Sequence, residues 1–208
     1  MRLLLGSDGS FLMQTGYALL GIPVREFRIG YVITAAKVST NIVFLETHRR
    51  AMTEGGYAYE EFDIEGKSEE EMLRFFEDKN VVHLEGGNSF FLMRIIRESG
   101  FEKVLRILLE RGLVFIGTSA GAYVMCPDLL VSTWGRHTNK RFGLEGIEAL
   151  NYVPFCLKVH YTDRMAEELK ERVKSLPCPL RILRDGQGIY VHDGKCTFVG
   201  RGEEVRLE

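Results

Sequence analysis

The chain has 208 residues and a mass of 23.7 kDa; it is 45% hydrophobic and 27% charged, with a formal net charge of -2. That length suits one domain spanning residues 1–208, and the near-neutral charge gives no electrostatic reason to expect nucleic acid or a membrane surface as partner. No apolar stretch approaches the roughly eighteen residues of a membrane span, and Leu3-Leu4-Leu5 is too short for a signal-peptide core, so a cytoplasmic protein is expected.

Apolar and β-branched runs alternate with helical patterns along the chain, which predicts a mostly parallel α/β sheet covered by helices. Strands are expected over Arg2 to Gly6 and Gly30 to Ala35, then a helix from about Asn41 to Thr53 and a strand over Tyr57 to Asp63. Ser68 and Glu71 form a capping-box pattern ahead of Met72, Leu73, Phe75 and Phe76, marking a helix over Glu69 to Lys79. A short, mostly apolar strand at Val81 to Leu84 runs into glycines, and a helix from Phe90 to Arg111, broken near Gly100, leads to a second such strand at Leu113 to Gly117. Residues from Val131 to Val159 read as loop and short strand at one edge of the site. Met165, Leu169, Val173 and Leu176 then recur at helical spacing up to Pro177. Strands over Arg181 to Leu183, Gly188 to Val191 and Cys196 to Val199 close the chain, the last two joined by an Asp193-Gly194 turn.

The residues that say most are Gly117-Thr118-Ser119-Ala120-Gly121-Ala122, between a predicted strand and a helix start. Small residues around a serine suit a strained strand-to-helix turn that pushes the hydroxyl into a cleft, where the helix supplies N–H groups for an oxyanion. The same glycines also fit a plain tight turn. In Leu84-Glu85-Gly86-Gly87-Asn88-Ser89 the glycines would let backbone N–H groups reach an oxyanion or a phosphate, whereas a helix capped by Asn88 or Ser89 explains the run without any ligand. Cys126, Cys156, Cys178 and Cys196 form no CxxC pair, so four reduced, mostly buried thiols are expected. The five histidines show no HExxH or comparable spacing, which leaves a catalytic metal without support.

Gly86-Gly87-Asn88-Ser89-Phe90, followed some thirty residues on by Ile116-Gly117-Thr118-Ser119-Ala120-Gly121-Ala122, resembles the peptidase E family of aspartyl dipeptidase-like serine peptidases. The similarity extends through Cys126-Pro127, Gly146-Ile147-Glu148-Ala149-Leu150-Asn151 and the segment ending in His160. The resemblance implies a flavodoxin-like open sheet with helices on both faces, as in class I glutamine amidotransferases, with Ser119 where those enzymes carry cysteine. It makes His160, in Lys158-Val159-His160-Tyr161, the general base among five histidines. It also directs attention to Arg184-Asp185-Gly186-Gln187-Gly188 for the third member; Asp185 is the expected acid, with Gln187 the competing alignment.

The expected chemistry is hydrolysis of small peptides through an acyl-enzyme, with the oxyanion on the N–H groups of Ala120 and Gly87, Asn88 beside them, and no cofactor required. Esterase or amidase activity on the same residues, and noncatalytic binding, are the alternatives. Arg164 or Arg136 would be the cation for an acidic N-terminal substrate residue, but Ser132-Thr133-Trp134-Gly135-Arg136 stands where family members often have another acid.

Overall fold

Among the described residues nine strands form, in chain order: β1 (Arg2–Gly6), β2 (Arg28–Val32), β3 (Ala58–Phe62), β4 (Val81–Leu84), β5 (Val114–Thr118), β6 (Cys156–Lys158), β7 (Leu180–Ile182), β8 (Gln187–His192) and β9 (Lys195–Gly200). They are seen in a computed structural model that describes residues 1–134 and 142–207. Seven of them make one sheet in the order β3-β2-β4-β5-β1-β8-β9, and β6 pairs with β7 beside it. The five from β3 to β1 are parallel, while β8 runs antiparallel to β1 and β9 antiparallel to β8.

The helices are α1 (Gly9–Phe11), α2 (Tyr17–Leu19), α3 (Val43–Glu54), α4 (Glu69–Phe75), α5 (Ser89–Ser99), α6 (Phe101–Glu110), α7 (Ala120–Tyr123) and α8 (Ala166–Val173). Successive strand residues point to opposite faces, so the central strands, mostly apolar, feed two cores. Leu3, Leu5, Val82, Leu84 and Phe115 pack with α4 to α7 on one face. Leu4, Val81, Val114 and Ile116 pack on the other with Phe11, Leu12, Tyr17, Leu45 and Met52. This is the open, mostly parallel sheet with helices on both faces that the sequence predicts.

Local signals explain most boundaries. Ser68 Oγ accepts from the Glu71 N–H at 3.2 Å and the Glu71 carboxylate from the Ser68 N–H at 2.8 Å, the reciprocal cap expected for α4. Gly100, at φ 74°, separates α5 from α6 where the break was expected. The second strand ends at Val32, short of Ala35, because Thr34 Oγ1 accepts from the Ile64 N–H and donates to Asp63, stabilising a 3₁₀ turn over Thr34–Val38 instead. Residues 9–19 form α1, a π-helical turn at Leu12–Gly16 and α2, which the sequence reading did not anticipate. Gly9 and Gly16 interrupt the periodicity there, and the segment is fixed by packing on Leu4 and by the Asp8 cap on the Phe11 N–H.

The expectation of four reduced thiols is corrected: Cys156 and Cys178 form a disulfide across 6.1 Å between Cα atoms. The two lie 22 residues apart, and it is the adjacency of β6 to the segment entering β7 that brings them together. Cys126 remains free, with burial pushing its thiol up to about 12. Among the described residues no helix is long and apolar enough to cross a membrane.

Candidate active site

The carboxyl ends of β1, β4 and β5 open at one edge of the sheet, the usual ligand edge of such folds. Ser119 sits on the turn between β5 and α7 at φ 49°, ψ −105°, a conformation that costs free energy in a residue with a Cβ. The glycines on either side make the turn possible by close approach: a Cβ on Gly117 would lie 2.4 Å from the Gly121 carbonyl oxygen, and one on Gly121 2.0 Å from that of Leu84. Gly121→Ala is therefore expected to destabilise the protein by about 2–4 kcal/mol, read as a lower urea midpoint; an unchanged midpoint would mean that the elbow is not this tightly packed.

His160 follows β6, and its Nε2 lies 2.9 Å from Ser119 Oγ while its Nδ1 lies 2.6 Å from Asp185 Oδ1. Its backbone is also in the left-handed region, at φ 55°. Three successive N–H groups hold it there: Val159 donates to Tyr123 Oη, His160 to Ser7 Oγ and Tyr161 to the Leu183 carbonyl. The structure thus brings Ser119, His160 and Asp185 into hydrogen-bonding sequence. The site is open, with the side chains of His160 and Asp185 47% and 61% exposed.

The hydrogen bond from His160 holds the Asp185 carboxyl below its ordinary value against the upward push of burial, and a hydrogen bond from Ser7 adds to the lowering. Ser7, fully buried at the end of β1, donates to Asp185 Oδ1 at 3.0 Å while accepting the His160 N–H at 2.9 Å. Asp8 accepts the Gly186 N–H at 2.9 Å. Sequence reasoning missed both residues; the available signal was a small polar pair directly after the first predicted strand. Gln187, the rival for the acid position, is buried and turned to other work: it accepts the Arg184 N–H and donates to the carbonyls of Arg201 and Glu203.

Across from His160, a Cβ on Gly86 would come within 3.3 Å of Ser119 Cβ, which places the glycine loop beside the serine. Gly87 has φ 144° and so little space that a Cβ would meet the Ala35 carbonyl oxygen at 2.1 Å. The Gly86 N–H is taken by Glu85 at 2.5 Å and that of Asn88 by Ala35 at 2.9 Å. Asn88 Oδ1 accepts from the Phe91 N–H at 2.8 Å, so that side chain caps α5. Among the described residues the N–H groups of Gly87 and Ala120 have no acceptor, which leaves them as donors for an incoming oxygen.

Beneath this edge lies a buried cluster that the sequence reading did not connect. Glu85 accepts from Thr118 Oγ1 at 2.6 Å, from His48 Nδ1 at 2.6 Å, from Tyr31 Oη and from the Gly86 N–H. Burial pushes this carboxyl up, but the His48 hydrogen bond, both histidines and the Gly86 N–H outweigh it and hold Glu85 well below the usual carboxylate range. Ligand atoms of His48, His83 and Glu85 lie within 4.8 Å of one another, as a metal site would require. The 2.6 Å between His48 and Glu85 is nevertheless a hydrogen-bond spacing, since two ligands of one tetrahedral zinc stand about 3.3 Å apart.

His83 Nε2 lies 3.3 Å from Thr118 Oγ1, whose own proton goes to Glu85, so Nε2 carries the proton and Nδ1 is bare. Burial pushes the His83 pKa down to about 3, against the attraction of Glu85. Between about pH 6.5 and that value the unfolded chain binds a proton that the folded one refuses. Stability is accordingly expected to fall as the pH drops below about 6.5, by up to about 1.4 kcal/mol per unit from this group. Urea midpoints measured from pH 7 to 5 check this, and His83→Gln should flatten the dependence; an equally steep fall in the variant would assign it to another group.

Of the two candidate cations for an acidic substrate, Arg164 is exposed on the turn Asp163–Met165, and Arg136 lies outside the described residues. Arg184, next to the acid, is paired with Asp163 at 2.5 Å and lies 4.9 Å above the Tyr161 ring.

The chain is similar to known peptidases. The family model described as Peptidase family S51 matches residues 19–199. Lmo0363, an uncharacterized peptidase of Listeria monocytogenes, is 27% identical over 145 residues, 70% of this chain and 71% of its own. Peptidase E of Escherichia coli O1:K1 is 30% identical over 136 residues, covering 60% of this chain and 57% of its own. A crystal structure of a Listeria monocytogenes EGD-e protein assigned to peptidase E superposes with a TM-score of 0.85 at 22% identity, covering 97% of this chain and 98% of its own. A peptidase from an acI-B1 Actinobacterium follows at 0.69 and 17%, covering 100% and 90%.

Proposed function

Because the chain belongs to peptidase family S51 and is a serine-type peptidase, we propose that it hydrolyses short, dipeptide-like substrates through Ser119, His160 and Asp185 and an acyl-enzyme. The observation that carries this reading is the unbroken path from Asp185 Oδ1 through the imidazole to Ser119 Oγ.

His160 Nε2 takes the hydroxyl proton as Oγ attacks the scissile carbonyl carbon, and Asp185 stabilises the imidazolium that forms. The carbonyl oxygen, now an oxyanion, rests on the Ala120 and Gly87 N–H groups. When the C–N bond breaks, the same proton passes to the departing amine, leaving the acyl group on Oγ. Water activated by His160 then hydrolyses that ester.

Selection of an acidic N-terminal residue would need a cation facing the serine. Arg184 is already committed to Asp163, and neither Arg164, exposed on the Asp163–Met165 turn, nor Arg136, outside the described residues, is seen to face the serine, so the reading stops at short peptides. The test is incubation with a fluorophosphonate, followed by peptide mapping, alongside a dipeptide panel assayed for release of free amino acid. An adduct confined to Ser119 together with dipeptide cleavage supports the proposal; absence of both defeats it.

A further inference from the structure

We infer that Phe44 forms an apolar wall of the substrate site, so that the peptides cleaved carry a bulky apolar side chain next to the scissile bond. This rests on the role proposed above for Ser119. Helix α3 turns Leu45, His48 and Met52 inward, and further along, its outward positions are polar, as at Glu46, Arg49 and Arg50. Its start breaks that rule: Ile42, Val43 and Phe44 are 43%, 67% and 39% exposed.

For Phe44, its place explains the exception. The point where a Gly86 Cβ would stand is 3.8 Å from Phe44 Cε2 and 3.3 Å from Ser119 Cβ, so the ring edge and the serine border the same missing side chain. An apolar group bound there leaves water together with the ring, which offsets the cost of keeping Phe44 exposed.

The nearby charges point the same way. Asp185 and Asp8 hold the acid turn, and Glu85 lies ionised under Gly86. Lys37 is paired with Asp63 and Glu65, and Arg184 with Asp163, so neither is free for an acidic substrate side chain.

The experiment compares kcat/KM for Leu-Ala and Ala-Leu with Asp-Ala and Ala-Asp, in wild type, Phe44→Ala and Phe44→Leu. Fluorophosphonate labelling of Ser119 is scored separately. At least one leucine peptide is expected to exceed its aspartate counterpart by about tenfold or more, Phe44→Ala to erase about tenfold of that advantage, and Phe44→Leu to restore most of it. The exposed position of Phe44 makes loss of folding an unimportant route to these effects. The inference is overturned if a labelled enzyme prefers the aspartate peptides, cleaves none of the four, or keeps its selectivity in Phe44→Ala. Failure of Ser119 to label would instead remove the catalytic reading and this inference with it.

Discussion

Ser119→Ala is expected to lower turnover by about four to six orders of magnitude and to abolish fluorophosphonate labelling. The hydroxyl is the atom that bonds to the substrate, and His160 Nε2 at 2.9 Å has no other proton to withdraw. What survives in the variant is the residual catalysis of the oxyanion donors and substrate binding, which is why the loss is large but finite. The substitution keeps the Cβ and the backbone interactions of the turn, including the bond from the Ser119 N–H to the Gly6 carbonyl, so the thermal midpoint should move little. Steady-state rates on the best peptide check this, and turnover within tenfold of wild type would rule out Ser119 as nucleophile.

Asp185→Asn should cost about three to four orders of magnitude in kcat, whereas Gln187→Ala should act on stability instead. Asp185 Oδ1 receives protons from both His160 Nδ1 and Ser7 Oγ. An amide carries no charge for the imidazolium, and its NH₂ can turn toward Nδ1 and favour the wrong tautomer. Exposure of both side chains lets solvent screen part of that loss, hence the lower end of the range. Gln187 touches neither His160 nor Ser119 in its hydrogen bonds; removing it frees the Arg184 N–H and two carbonyls of the C-terminal segment, at about 1–3 kcal/mol. Paired kinetics and urea unfolding separate the two variants. Near-normal kcat in Asp185→Asn would reassign the acid.

How much of this was legible depended on whether the cause was local. The capping box at Ser68, the break at Gly100 and the short apolar strands at Val81–Leu84 and β5 follow from contacts a few residues apart, and they appear where the sequence puts them. The second strand was read too long because Ile33, Thr34 and Ala35 look β-forming, yet Thr34 bonds to Asp63 from another element. The helix over residues 9–19 was invisible because two glycines mask its periodicity and its packing partners lie in the sheet.

For the site, Ser119 announced itself because the tight turn demands glycine at 117 and 121, a local requirement written into the chain. His160 and Asp185 were reachable only through family resemblance, since one histidine among five and an Asp-Gly pair carry no local mark of partnership. By itself, then, the sequence determined the layered fold, the elbow and the glycine loop, because near neighbours impose those conformations. The tertiary structure alone decided that Asp185 rather than Gln187 meets His160, that Ser7 joins the two, that Glu85 anchors the floor and that Cys156 bonds Cys178. Each of those contacts joins segments tens of residues apart, and the sheet order that brings them together leaves no trace in local periodicity.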